Sequence, residues 1–128
     1  EVTALSLGAS IPVGLLATAL LVINNLRDIP GDTASGKRTL AVRLGDRRTR
    51  WLYTGMLAAA FVAVPVVAGG FDRPAAAAAL VGAVLARIPV LRVLEGASGA
   101  ALIPVLGHTG RVQLVTGALL AAGLALSA

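Results

Sequence analysis

Two aspartates four residues apart, Asp28 and Asp32, stand in a polar stretch that follows directly on a long apolar run, preceded by Asn24, Asn25 and Arg27 and followed by Lys37 and Arg38. Carboxylates at that spacing share one face of a helix. They are hard oxygen ligands, and Mg²⁺ commonly takes one or two protein carboxylates, keeps several waters and leaves its other positions to phosphate oxygens. Asn24 and Asn25 could add amide ligands or orient a metal-bound water. Lys37 and Arg38 are placed to neutralise charge that develops on a departing diphosphate. Metal, carboxylates and bases together read as a clamp for a diphosphate.

Two plainer readings compete with that one. A loop rich in both signs beside a membrane is often only a solvated surface, and an i, i+4 aspartate pair is weak evidence by itself. Gly31 to Lys37 also fits the G-x-x-x-x-G-K pattern of a nucleotide phosphate loop, but Arg38 stands where Ser or Thr should meet Mg²⁺. That loop also needs a strand before it, whereas the preceding element here is apolar and far too long.

The elements that must hold these residues are membrane helices. Of 128 residues 57% are hydrophobic and 13% charged, a balance foreign to water-soluble domains. The net charge of +5 comes with only 3% aromatic residues and clustered bases, which favours membrane and substrate phosphates over nucleic acid, and no nucleic-acid partner is expected. With no Cys and one His, thiolate chemistry, iron–sulfur clusters and multi-His metal sites are excluded. The expected fold is all-α, a polytopic transmembrane bundle of about four helices, with spans near 2–23, 51–71, 74–91 and 112–128 and a motif loop over 24–50. The first span has 22 uncharged residues from Val2 to Ile23, a rise of roughly 33 Å as a helix. The second carries Trp51 and Tyr53 at one end and Phe71 at the other, where interfacial anchors belong. Gly8, Gly14, Gly55, Gly82, Gly117 and Gly123 punctuate the spans and imply close helix packing. Pro12, Pro65 and Pro89 lie inside apolar runs and should kink their helices.

Orientation follows from the bases. Seven of them fall in residues 24–50, and Arg92 and Arg111 fall between the third and fourth spans, against Arg73 alone in the opposite turn. The positive-inside rule puts the motif loop in the cytoplasm, of a multi-pass protein in the cell (inner) membrane. Because the chain opens on Glu1 and enters an apolar run without a basic leader or cleavage site, it reads as part of a longer protein and not as a signal peptide.

The run from Asn24 to Gly45, N-N-x-R-D-x-x-x-D-x-x-x-G-K-x-T-L-A-V-R-L-G, resembles the second Asp-rich motif of the UbiA superfamily of intramembrane prenyltransferases. The continuation from Gly36 to Gly45 most resembles the branch that prenylates 1,4-dihydroxy-2-naphthoate in menaquinone synthesis. Leu102 to Leu106, Thr109-Gly110-Arg111 and Gln113-Leu114 resemble that branch's last loop and helix. The resemblance implies a nine-helix enzyme of which this chain is the C-terminal part, four helices long, the N-terminal half with the first Asp-rich motif lying outside it. It implies the family reaction: Mg²⁺ held by two Asp-rich motifs binds a polyprenyl diphosphate, whose allylic carbon is attacked by an aromatic ring that loses CO₂, giving demethylmenaquinone. The alternatives are another acceptor within the superfamily, such as 4-hydroxybenzoate or a haem or chlorophyll precursor, or a non-enzymatic four-helix scaffold.

Carried over residue by residue, Asp28 and Asp32 are the catalytic, metal-binding aspartates, and Asn24, Asn25, Arg27, Lys37 and Arg38 accompany the diphosphate. The C-terminal part alone should be inactive. Arg43 fits the same pattern but could equally anchor the loop to lipid headgroups. Pro30-Gly31 between the aspartates makes a regular helix through both doubtful, and Thr33 stands where this branch often has a base. Outside the motif, Arg87 is expected to snorkel or to face the bundle interior. His108 should lie in a solvated loop, and Trp51 and Tyr53 in the interfacial belt.

Overall fold

The computed structural model describes residues 3–72 and 79–126; the opening residues of the expected third span, 74–78, lie outside them. Among the described residues six α-helices follow one another: α1 (Ala4–Arg27), α2 (Ile29–Ala34), α3 (Leu40–Leu44), α4 (Asp46–Gly70), α5 (Val81–Leu94) and α6 (Ile103–Leu126), the last entered through a 3₁₀ turn at Gly99–Leu102. Among the described residues there is no strand, so the all-α expectation holds.

Helix α1 starts on a reciprocal cap: the Thr3 hydroxyl accepts from Ser6 N–H, and the Ser6 hydroxyl accepts from Thr3 N–H. Its buried positions Pro12, Leu16, Ala19, Val22, Ile23 and Leu26 recur every three or four residues, a single stripe along the helix. From Leu16 on, that stripe shares one core with Tyr53, Leu57 and Ala60 of α4, Ala86 and Val93 of α5, and Leu102, Val105 and Val112 of the 3₁₀ turn and α6; α1 lies against α4 and α6, and α5 reaches the core through those two helices. A smaller cluster of Val64, Ala68, Ala79 and Leu120 closes the other end. Much of the outward surface of the long helices is apolar, with Leu21, Val62, Val84 and Leu114 among the exposed residues. Such surface is costly in water and ordinary against lipid. Three segments, Ala4–Arg27, Asp46–Gly70 and Gly99–Leu126, are long and apolar enough to cross a membrane.

Helix boundaries reach further than the uncharged runs. Helix α4 begins at Asp46, five residues before Trp51, and the last helix begins at Ile103, not near 112. A charge bounds what can be buried in lipid; it does not end a helix. Pro104, in the first turn of α6, suits a helix start because the missing N–H would have no partner there. His108 is therefore helical and partly buried, not part of a solvated loop.

Small residues permit close approach at some of the expected places only. A Cβ on Gly82 of α5 would run into the Thr116 hydroxyl of α6, and one on Gly8 would sit 3.1 Å from the Phe71 ring, whereas Gly14, Gly55 and Gly117 face open space. Pro12, Pro65 and Pro89 all lie inside helices, as expected.

Two polar contacts tie one end of the bundle together. Arg50, 8% exposed, grips Asp46 through Nε at 2.7 Å and Nη2 at 3.0 Å, while its Nη1 donates to the carbonyls of Val93 at 2.7 Å and Ala97 at 2.8 Å. Tyr53 and Thr109 share a buried hydroxyl contact of 2.6 Å; Thr109 itself donates to the Val105 carbonyl, so the tyrosine is the donor to Thr109. Tyr53 is thus fully buried in the core and is no belt residue, while Trp51, 58% exposed, keeps the outward position expected of one. The start of α4, the end of α5 and the start of α6 therefore meet at the end of the bundle where α1 delivers the aspartate motif.

Candidate diphosphate site at the end of α1

The motif is built by a helix that stops, turns and starts again. Asp28 sits at the break, with φ −90° and ψ 2°, and Pro30 has no N–H to return to the Leu26 carbonyl. The register nevertheless carries across: Asp28 N–H donates to the Asn24 carbonyl at 3.1 Å and Asp32 N–H to the Asp28 carbonyl at 2.8 Å. The expected irregularity at Pro30-Gly31 is a break at Asp28, yet both aspartates remain one helical turn apart. Both are partly buried.

Helix α2 ends in a Schellman motif. Gly36, at φ +77°, donates to the Thr33 carbonyl at 3.2 Å, and Lys37 N–H donates to the Asp32 carbonyl at 2.8 Å. A left-handed residue is required there, and glycine adopts it without a Cβ penalty. The Gly-Lys pair of the motif thus has a local cause: glycine turns the chain, and the turn sets Lys37 over the backbone of Asp32. The Thr39 hydroxyl then caps α3 by accepting from Val42 N–H at 3.2 Å, and Gly45 at φ +85° turns α3 into α4.

These turns gather Thr33, Gly36, Lys37, Arg38 and Val42 around an open pocket of about 270 Å³. Lys37 and Arg38 are exposed and, among the described residues, in no ion pair. Arg27 pairs with Asp28 instead, Nε to Oδ1 at 3.0 Å and Nη2 to Oδ2 at 3.4 Å. Asn24 and Asn25 are in the last turn of α1, not in a loop. Asn25 lines a separate cavity of about 120 Å³ between α1, α3 and α4, with Thr18, Thr49 and Met56. The structure therefore joins Arg27 to Asp28 and Lys37 to Arg38, and sets Asn25 apart from the basic pocket.

Asp28 and Asp32 are hard oxygen donors of the type a small divalent cation takes. Among the described residues no group of three His, Cys, Asp or Glu converges, so the two aspartates could form only part of a ligand set, the remainder coming from phosphate oxygens, water or other protein groups.

Residues 1–103 match the UbiA prenyltransferase family over most of the chain. The chain belongs to that family. It is 45% identical over 119 residues, 93% of its length, to a protein of Mycobacterium tuberculosis named 1,4-dihydroxy-2-naphthoate octaprenyltransferase. It is 41% identical over 118 residues to the protein of that name in Mycobacterium leprae, and 53% identical over 49 residues, 38% of the chain, to the one in Escherichia coli. This UbiA chain spans 40% of the length of each mycobacterial relative. No solved structure matches it.

Reading the sequence missed Arg50 as a structural residue, treating it as one more loop base. The Asp46/Arg50 spacing of four was a usable signal. Nothing in the sequence pointed to its carbonyl partners, 43 and 47 residues further on.

Proposed function

We propose that this chain forms the metal and diphosphate side of a membrane prenyltransferase of menaquinone synthesis, which moves a polyprenyl group from polyprenyl diphosphate to 1,4-dihydroxy-2-naphthoate. What carries the reading is the placement of Asp28 and Asp32 one turn apart, with Lys37 held over the Asp32 backbone and Arg38 beside it, in a UbiA chain. The names of the mycobacterial relatives support the acceptor.

In this reading Asp28 and Asp32 hold Mg²⁺, which supplies charge neutralisation on the diphosphate. Arg27, locked to Asp28, fixes that carboxylate's orientation. Lys37 and Arg38 take the outer phosphate oxygens, the arginine through its forked donors. The allylic C–O bond breaks with its electron pair leaving on diphosphate, the naphthoate ring forms the new C–C bond, and the ring carboxylate departs as CO₂. The product is demethylmenaquinone in its reduced, quinol form. The protein's part is positioning and stabilisation of the leaving charge, with the first Asp-rich motif of the family contributed from outside this chain. In this reading the motif faces the cytoplasm, the side to which the clustered bases of residues 24–50 assign it.

The test is prenyl transfer from radiolabelled polyprenyl diphosphate to 1,4-dihydroxy-2-naphthoate in membranes containing the full-length protein, with and without Mg²⁺, beside Asp28→Ala and Asp32→Ala. Mg²⁺-dependent product lost in both variants is expected. Product with 4-hydroxybenzoate alone would move the protein to another branch, and no transfer to any aromatic acceptor would refute the enzyme reading.

A further inference from the structure

Three arginines near the motif take no part in the basic pocket. Arg43 closes α3, and Arg47 and Arg48 lie in the first turn of α4; all three are exposed and, among the described residues, none is in an ion pair. The nearest carboxylate along the chain, Asp46, is occupied by Arg50. Two cations in the first turn of a helix also add to the positive end of its dipole, so an anion from elsewhere is electrostatically called for. The neighbours indicate which one. Trp51 follows Arg48 by three residues and Arg47 by four, on one face of α4, and is 58% exposed; Leu40, 54% exposed, stands at the start of α3. An exposed indole beside arginines, where a long apolar helix begins, matches the boundary between headgroups and acyl chains.

We propose that Arg43, Arg47, Arg48 and Trp51, with Leu40, form a binding surface for the phosphate of anionic phospholipid headgroups, fixing the α3–α4 corner to the membrane surface. The surface is distinct from the diphosphate pocket: Val42 lines that pocket and Arg43 does not. Arginine forks grip the phosphate, and the indole and Leu40 enter the acyl boundary. Holding this corner also holds Gly45 and Thr39, and through them the loop that carries Lys37.

The experiment takes the full-length protein in detergent with equal phosphatidylglycerol and phosphatidylcholine, counting retained lipids by native mass spectrometry. Preferential retention of phosphatidylglycerol is expected. Its affinity should fall about fivefold for each arginine removed, in Arg43→Gln and in the Arg47→Gln/Arg48→Gln pair. The thermal transition of these variants, altered only at exposed side chains, checks that they are folded. Lys37→Gln should leave lipid retention unchanged, and added Mg²⁺ with inorganic diphosphate should not displace the lipid. Equal retention of the two lipids, or unchanged affinity in folded arginine variants, would overturn the proposal. Displacement by diphosphate would do so as well, by assigning these arginines to the substrate.

Discussion

The Arg50 guanidinium lies 2.7 Å from the Val93 carbonyl, a bond that joins the start of α4 to the end of α5 across 43 residues. Since α5 ends in its own Schellman turn, with Gly96 at φ +101° and Ala97 N–H on the Arg92 carbonyl at 3.1 Å, the arginine is gripping a preformed loop.

Arg50→Gln should therefore destabilise the protein by about 2 to 4 kcal/mol, because it strips the Val93 and Ala97 carbonyls of a charged, buried donor. Arg50→Lys should recover little, since an ammonium cannot serve Asp46 and two carbonyls at once. Asp46→Asn should cost about 1 kcal/mol or less, because that carboxylate is 59% exposed. Thermal unfolding in detergent orders the three. Equal losses in Asp46→Asn and Arg50→Gln would mean that the ion pair, not the carbonyl grip, carries the stability.

How much of this was legible in the sequence depends on range. Long uncharged runs gave the membrane helices, because a bilayer demands their length and composition. The aspartates were legible as a pair because their relation is local to one turn. Tyr53 was not, since its aromatic ring near a span end fits a belt as well as a core, and only Thr109, 56 residues away, decides between them. The start of α6 escapes the sequence for a related reason: Arg111 bounds the uncharged run that opens at Val112, but the helix begins at Ile103 and carries the charge within it. Asn25 shows the same limit at the site, as its position in the motif did not reveal that it lines a cavity away from Lys37 and Arg38.

The approach of α5 to α6 at Gly82 is a sharp test of packing. The Thr116 hydroxyl is buried there without a hydrogen-bond partner among the described residues, and a Gly82 Cβ would also meet Thr116 Cβ at 3.2 Å and the Phe61 ring at 3.3 Å. Gly82→Ala should destabilise by about 1 to 3 kcal/mol through overpacking. Thr116→Ala removes the obstructing oxygen, so the double variant should be more stable than the sum of the single losses predicts. Strict additivity in thermal unfolding would show that the helices do not meet at these residues.

Gly36 separates the role of loop geometry from the role of charge. Gly36→Ala keeps every charged group but places a Cβ on a residue at φ +77°, a conformation costing about 1 to 2 kcal/mol for an L-residue. The side chain has open space around it, so the penalty is conformational and not a clash. Opening the turn should release Lys37 N–H from the Asp32 carbonyl and spread the lysine over many positions. In the prenyl-transfer assay with the full-length protein, Gly36→Ala should raise KM for the polyprenyl diphosphate several-fold while leaving KM for the aromatic acceptor unchanged. Gly36→Asn, which tolerates the left-handed region better, should fall between the two. Wild-type kinetics in Gly36→Ala would mean that Lys37 reaches the diphosphate without the turn that now holds it.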